Sequence, residues 1–108
     1  MKKVTRKVIE YIVKLASSPE KAETTQSALY DLMGLELTKF DVCDAICDWI
    51  NRGEPVQEVV TKYAKDHIGE PAYVMKPNLA GVRLYIKVTI QECNSSETLL
   101  IISAHIDR

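Results

Sequence analysis

Glycine is scarce in this chain, with 4 in 108 residues, and those present are scattered. No Gly-rich phosphate loop can be built from them, which removes nucleotide-dependent chemistry of the P-loop and dinucleotide kinds. A His-Glu-x-x-His pair for a zinc protease and a Gly-x-Ser-x-Gly elbow for a serine hydrolase are both missing. Cysteine is low and odd in number, at 3, without framework spacing. Disulfide scaffolds are small, secreted and Cys-dense, so these thiols read as reduced cysteines of a cytoplasmic protein. No apolar run approaches the roughly 20 residues that a membrane helix requires. The start, Met1 to Lys7, is basic like a signal peptide. Glu10 and Lys14, however, interrupt the apolar stretch that export needs. A net charge of −1 lacks the overall basic excess of many nucleic-acid binders.

The length of 108 residues allows one domain with one core and no more. Charge is unevenly spread within it. Lys2, Lys3, Arg6, Lys7 and Lys14 make the start basic, and Asp31, Glu36, Asp41, Asp44, Asp48, Glu54 and Glu58 make the middle acidic. Lys62, Lys65, Lys76, Arg83 and Lys87 make the last part basic again. Such asymmetry lets one face meet phosphates while the whole stays neutral, and ordinary solvated faces look the same.

Three helices are predicted in the first half. Val4, Val8, Tyr11, Ile12, Leu15 and Ala16 recur at helical spacing, giving a helix from Thr5 to Ser17 that Pro19 stops. A second helix runs from Thr25 to Met33, with Ala28, Leu29, Leu32 and Met33 as its buried stripe and Gly34 in the left-handed position after it. Thr38 with Asp41 three residues on starts a third, with Phe40, Cys43, Ile46, Cys47 and Ile50 facing inward. Between the first two helices, Glu20–Thr25 reads as a loop or short edge strand. Pro55–Lys65 fits either helix or strand, and its Val and Thr content favours a strand. Ala72–Lys76 is a further strand closed by Pro77-Asn78.

Val82–Gln91 and Thr98–Asp107 are the clearest strands, joined by a polar turn. Side chains alternate across a strand. Leu84, Ile86, Val88 and Ile90 therefore share one face, and strict alternation adds Leu100, Ile102, Ala104 and Ile106 to it. The opposite face then carries Arg83, Tyr85, Lys87, Ser103, His105 and Asp107. Helices followed by a strand meander is an α+β fold, with N-terminal helices on one face of an antiparallel β-sheet.

That polar face is the candidate site. Metal-free RNA cleavage needs a base for the ribose 2′-OH, positive charge for the phosphate and a proton for the departing 5′-oxygen. His105 suits acid or base work because imidazole titrates near neutrality. Lys76, Arg83 and Lys87 supply charge for the phosphate. Tyr85 can orient the phosphate, donate a proton or stack a base. Ser103, His105 and Asp107 alternate along one strand and so stand side by side, not in a Ser-to-His-to-Asp relay. Cys43 and Cys47 are one helical turn apart, but they lie on the apolar stripe. Cys93, His67 and His105 offer no paired spacing to complete a four-ligand site. They read as core thiols without metal, and a thiol or metal site at Cys43, Cys47 and Cys93 is the weaker alternative.

Several segments resemble one family when taken in order: Ser27-Ala-Leu29, Gly34-Leu35, Asp41-Val-Cys43 with Ile46, Tyr73-Val-Met-Lys-Pro77, Leu84-Tyr-Ile-Lys-Val-Thr-Ile90 and Leu100-Ile-Ile-Ser103. In order and gaps, over about residues 25–105, they resemble the MqsR (motility quorum-sensing regulator) toxins, part of the RelE-like group of type II toxin–antitoxin systems. The resemblance implies a RelE-like α+β fold and a metal-independent mRNA endoribonuclease without cofactor. Its substrate would be mRNA, free or on the ribosome, and its partner a cognate antitoxin. Tyr85 matches the family's sheet tyrosine. His105 stands where the family has a lysine after the last strand's Ile-Ser. The family's lysine in the first meander strand falls near Gln57 or Glu58, and its glutamine near Glu70 or Pro71. A non-catalytic interaction module on the same fold is the rival reading.

Overall fold

The computed structural model describes residues 2–61, 69–93 and 96–107. Three helices and a mostly antiparallel sheet make one α+β unit, with the helices on one sheet face. Strands β1 (Lys2–Lys3), β3 (Gln57–Val60), β4 (Pro71–Met75), β6 (Val82–Cys93), β7 (Ser96–Ile106) and β2 (Glu23–Thr24) lie side by side in that order. The short β5 (Asn78–Leu79) pairs with β6 off that path. Among the described residues every pairing is antiparallel except β2 with β7. Among the described residues no helix is long and apolar enough to cross a membrane.

The helices start where their caps predict. Helix α1 (Arg6–Ala16) is capped by Thr5, whose hydroxyl accepts from the Val8 N–H, and it buries Ile12 and Ala16. Helix α3 (Lys39–Asn51) opens on a reciprocal box. The Asp41 carboxylate accepts from the Thr38 N–H at 2.8 Å while the Thr38 hydroxyl accepts from the Asp41 N–H at 3.4 Å. Lys39 then reaches back to the carbonyl oxygens of Glu20 and Ala22, at 3.2 and 2.7 Å, and ties the start of α3 to the segment after α1. That segment is a 3-10 turn (Pro19–Lys21) followed by β2, so the edge-strand alternative for Glu20–Thr25 is the one adopted.

Two of the predicted stripes are corrected. Helix α2 (Gln26–Gly34) buries Ala28 and Leu32, but Leu29 and Met33 are 46% and 61% exposed. It rests on the sheet edge formed by β7 and β2, which covers a stripe one residue wide and leaves both flanks open. In α3, Val42, Cys43, Ala45 and Ile46 are buried and Phe40 is 49% exposed. The left-handed residue after α2 is Glu36, with φ of 59°, not Gly34, which ends the helix. The Leu37 N–H bonds the Leu32 carbonyl and the Glu36 N–H bonds that of Met33, so the double closing bond of a Schellman end sets the position.

Gln57–Val60 is a strand, as its Val content favours; the remainder of the ambiguous stretch, from Lys62, lies outside the described residues. Pro77-Asn78 does not simply close a strand. Asn78 and Leu79 pair with Arg83 and Val82 through a two-residue turn at Ala80-Gly81, where φ is 55° and 80°. Two positive values in succession make the primed turn that matches strand twist.

A bulge decides the faces of β7. Pairing runs Leu84–Ile106, Tyr85–His105, Ile86–Ala104 and Lys87–Ser103, then shifts to Val88–Ile101, Thr89–Leu100 and Ile90–Leu99. Ile102 is the extra residue, and one inserted residue reverses the alternation. Strict alternation therefore fails for the first half of the strand. Leu99 and Ile101, not Leu100 and Ile102, join Leu84, Ile86, Val88 and Ala104 in the core beneath the helices. Leu100 and Ile102 turn to the other face and form a second cluster with Ala72 and Val59. At about 25 cal/mol per Å² of apolar surface, such burial stabilises by roughly 2 kcal/mol per large aliphatic side chain.

Candidate functional site

The bulge leaves Tyr85 and His105 as direct cross-strand neighbours on the face away from the main core. Their rings stack with centroids 5.2 Å apart and planes 12° from parallel. Opposed residues on one face of an antiparallel pair have Cβ atoms about 5 Å apart, so the stack follows directly from register. It stands at one wall of a cleft of about 610 Å³ lined by Asp31, Lys76, Tyr85, His105, Ile106 and Asp107.

The last turn of the chain brings the cations in. The Asp107 N–H donates to the Arg83 carbonyl at 2.9 Å and so continues the ladder one step past β7. Its carboxylate is 3.8 Å from the Lys76 ammonium and 3.6 Å from Arg83 Nε. Lys76 follows β4 directly, and its ammonium stands 6.0 Å from the Tyr85 ring centroid, at the outer reach of a cation–π contact. Lys76 and Arg83 are solvent-accessible, so these ion pairs are worth little in stability but fix where positive charge lies. Lys76, Tyr85 and His105 are brought together. Arg83 meets them only through Asp107, and Lys87 stands opposite Ser103 without lining the cleft.

The chemistry of the two rings differs. His105 Nδ1 lies 3.0 Å from the Ile106 carbonyl oxygen. A carbonyl can only accept, so Nδ1 carries the hydrogen and Nε2 of the neutral ring keeps its lone pair. His105 is exposed and is therefore equipped to take a proton from a molecule in the cleft. The Tyr85 phenol is raised above its usual value of 10.0, first by burial and then by the Asp107 charge, so it stays protonated and acts as a donor.

Sequence reasoning placed Asp107 on this face but gave it no part; its carboxylate in fact joins the two cations. Asp31 was missed, because its entry depends on where α2 sits. Thr25 settles that. Its hydroxyl accepts from the Ala28 N–H at 3.1 Å to cap α2 and donates to the Ile102 carbonyl at 2.9 Å, so the helix is anchored at the bulge of β7. No sequence pattern carries that link, since Thr25 and Ile102 are far apart in the chain. As for the cysteine alternative, Cys43 is fully buried and burial pushes its thiol up to about 11, which makes it a poor ligand and nucleophile. Cys93 forms the end of β6, and His67 lies outside the described residues. Among the described residues no group of three or more His, Cys, Asp or Glu is placed to hold a metal ion. No family model, no curated protein and no solved structure matches this chain.

Proposed function

We propose that this protein is an RNA-cleaving toxin of a type II toxin–antitoxin system, a cytoplasmic mRNA endoribonuclease of RelE-like type. One observation carries the reading: an exposed histidine whose Nδ1 faces the Ile106 carbonyl is stacked on a tyrosine in an open cleft that also holds a lysine ammonium. His105 Nε2 takes the proton of a ribose 2′-OH. The 2′-oxygen attacks phosphorus, and the bond from phosphorus to the 5′-oxygen breaks. That oxygen takes the Tyr85 phenolic proton, and solvent restores both rings. Lys76 offsets the charge on the phosphoryl oxygens, with Arg83 and Lys87 holding the strand on either side. The products are a 2′,3′-cyclic phosphate and a 5′-hydroxyl.

The test is incubation of the purified protein with mixed-sequence RNA in EDTA, with His105→Ala as control and mapping of the new ends. Cleavage by the parent alone with cyclic phosphate ends supports the reading. No cleavage of free or ribosome-bound RNA, together with harmless expression in cells, overturns it. The second reading is a non-catalytic interaction module. It is favoured by the Asp107 carboxylate already facing Lys76 and Arg83, and by the exposed row Leu29, Tyr30 and Met33 on α2. A protein antitoxin would meet such a row in either case, so growth arrest on expression separates the two.

A further inference from the structure

A second groove adjoins the cleft on the α2 side. It encloses about 220 Å³ and is lined by Tyr30, Asp31, Gly34, Leu35, His105 and Ile106. Asp31, His105 and Ile106 are walls of both. The two differ in character. The first gathers Lys76 and the two rings of the proposed chemistry, Tyr85 and His105. The second adds the Tyr30 ring, the Leu35 side chain and the bare backbone of Gly34 to the three shared walls, and has one carboxylate and no lysine or arginine.

Three observations bear on what this groove could hold. Tyr30 is 62% exposed, and Gln26 Nε2 donates to its hydroxyl at 3.2 Å. An exposed aromatic ring offers a stacking surface for a planar ring, and the Gln26 bond favours one orientation of it. Asp31 is exposed at the same rim and makes no side-chain hydrogen bond or ion pair with the described residues, so its oxygens can accept from a ligand. Gly34 is in the last turn of α2 at an ordinary helical φ, and a Cβ there would meet nothing within 4 Å. Alanine at a helical position is more favourable than glycine by about 1 kcal/mol. Glycine here lowers helix stability without relieving any clash, and it leaves the backbone bare at the groove.

We propose that this groove is a nucleobase subsite for the nucleotide next to the cleaved phosphate, with Tyr30 as the stacking platform and Asp31 as the reader of the base edge. The proposal deepens the RNA reading above and rests on it. A carboxylate only accepts, so it pairs with bases that present an exocyclic amine, namely adenine, cytosine and guanine. Uracil has no exocyclic amine, and its one donor on that edge, N3–H, lies between two carbonyl oxygens that repel an approaching carboxylate. Asp31 thus discriminates against uracil, while Tyr30 binds any base.

The probe is a set of fluorescent hexanucleotides of adenosine, cytidine or uridine, made with 2′-O-methyl riboses so that no 2′-hydroxyl can attack. Binding is read by anisotropy at low salt, and all-ribose versions are assayed in parallel for cleavage. The expected result is that the adenosine and cytidine strands bind about tenfold tighter than uridine. Asp31→Asn should abolish that ratio, and Tyr30→Ala should weaken all three about tenfold. Gly34→Ala is the control for folding: thermal stability should rise while affinity falls. Equal binding of the three strands, or a ratio unmoved in Asp31→Asn, overturns the subsite even if ribose strands are cleaved. The expected pattern without cleavage of any ribose strand upholds the subsite and removes cleavage of free RNA. No binding of any strand overturns the subsite, whether or not ribosome-bound RNA is cleaved.

Discussion

Tyr85 and His105 sit opposite one another across β6 and β7, and their rings are stacked at 5.2 Å within 12° of parallel. The pairing puts a proton acceptor and a proton donor within one small surface, against a lysine that follows the neighbouring strand.

Removing either ring should separate chemistry from fold. His105 is exposed and, among the described residues, its side chain hydrogen-bonds only the Ile106 carbonyl, so His105→Ala should leave the melting temperature close to the parent. Cleavage should fall by about 10²–10⁴-fold, the usual contribution of a positioned acid or base. Tyr85→Phe keeps the stack and loses the donor. It should retain RNA binding and lose turnover, which gel assays of binding and cleavage distinguish. Equal activity in both variants would remove the site assignment.

Asp107 pairs with the two cations that the proposed function assigns to phosphate. Asp107→Asn frees Lys76 and Arg83, so affinity for a 2′-O-methyl RNA strand should rise severalfold. The slope of log affinity against log salt should steepen by about 0.7 for each phosphate newly neutralised. Stability should change by less than about 1 kcal/mol because the ion pairs are solvent-screened. A weaker-binding variant would mean that Asp107 orients the cations for the ligand and does not compete with it.

Two turns carry residues in a backbone conformation that favours others. Ala80 has φ of 55° as the first central residue of the β5–β6 turn, and Glu36 has φ of 59° after α2. Ala80→Asn creates the Asn-Gly pair that primed turns prefer, and Glu36→Gly fills a Schellman end with its usual residue. Each should add about 0.5–1 kcal/mol, seen as a higher urea midpoint with an unchanged slope.

Alkaline pH should weaken the fold through Cys43. Burial, and next the neighbouring Cys47, raise its thiol from 9.0 to about 11. The unfolded chain releases this proton near pH 9 while the folded chain holds it, so the folded state binds more protons between the two values. Stability from this group is complete below pH 9 and is lost as pH rises to 11, by about 2–3 kcal/mol at roughly 1.4 kcal/mol per unit. Tyrosines whose phenols are also raised add to the decline in the parent and in Cys43→Ala alike. The urea midpoint of Cys43→Ala should therefore fall less steeply between pH 8 and 11. Parallel slopes would mean that Cys43 does not titrate differently on unfolding.

Local rules made much of this protein legible in its sequence. Thr5, Thr25 and Thr38 each mark a helix start, because a hydroxyl that satisfies a free N–H acts within three residues. Alternation along β6 separated Tyr85 and Lys87 from Leu84 and Ile86, since strand geometry imposes that period on any side chain. The α+β class followed from the order of those elements.

What only the tertiary structure decided is non-local. The extra residue at Ile102 is invisible in a strand of uniform apolar character, yet it reverses which of Leu99, Leu100, Ile101 and Ile102 face the helices. The narrow contact of α2 with the sheet edge exposed Leu29 and Met33, because burial depends on which elements lie alongside and not on the period of the helix itself. The bond from Thr25 to Ile102 then carried Asp31 to the cleft. A sequence specifies each residue's local preferences, while the neighbours of a side chain depend on how distant segments meet.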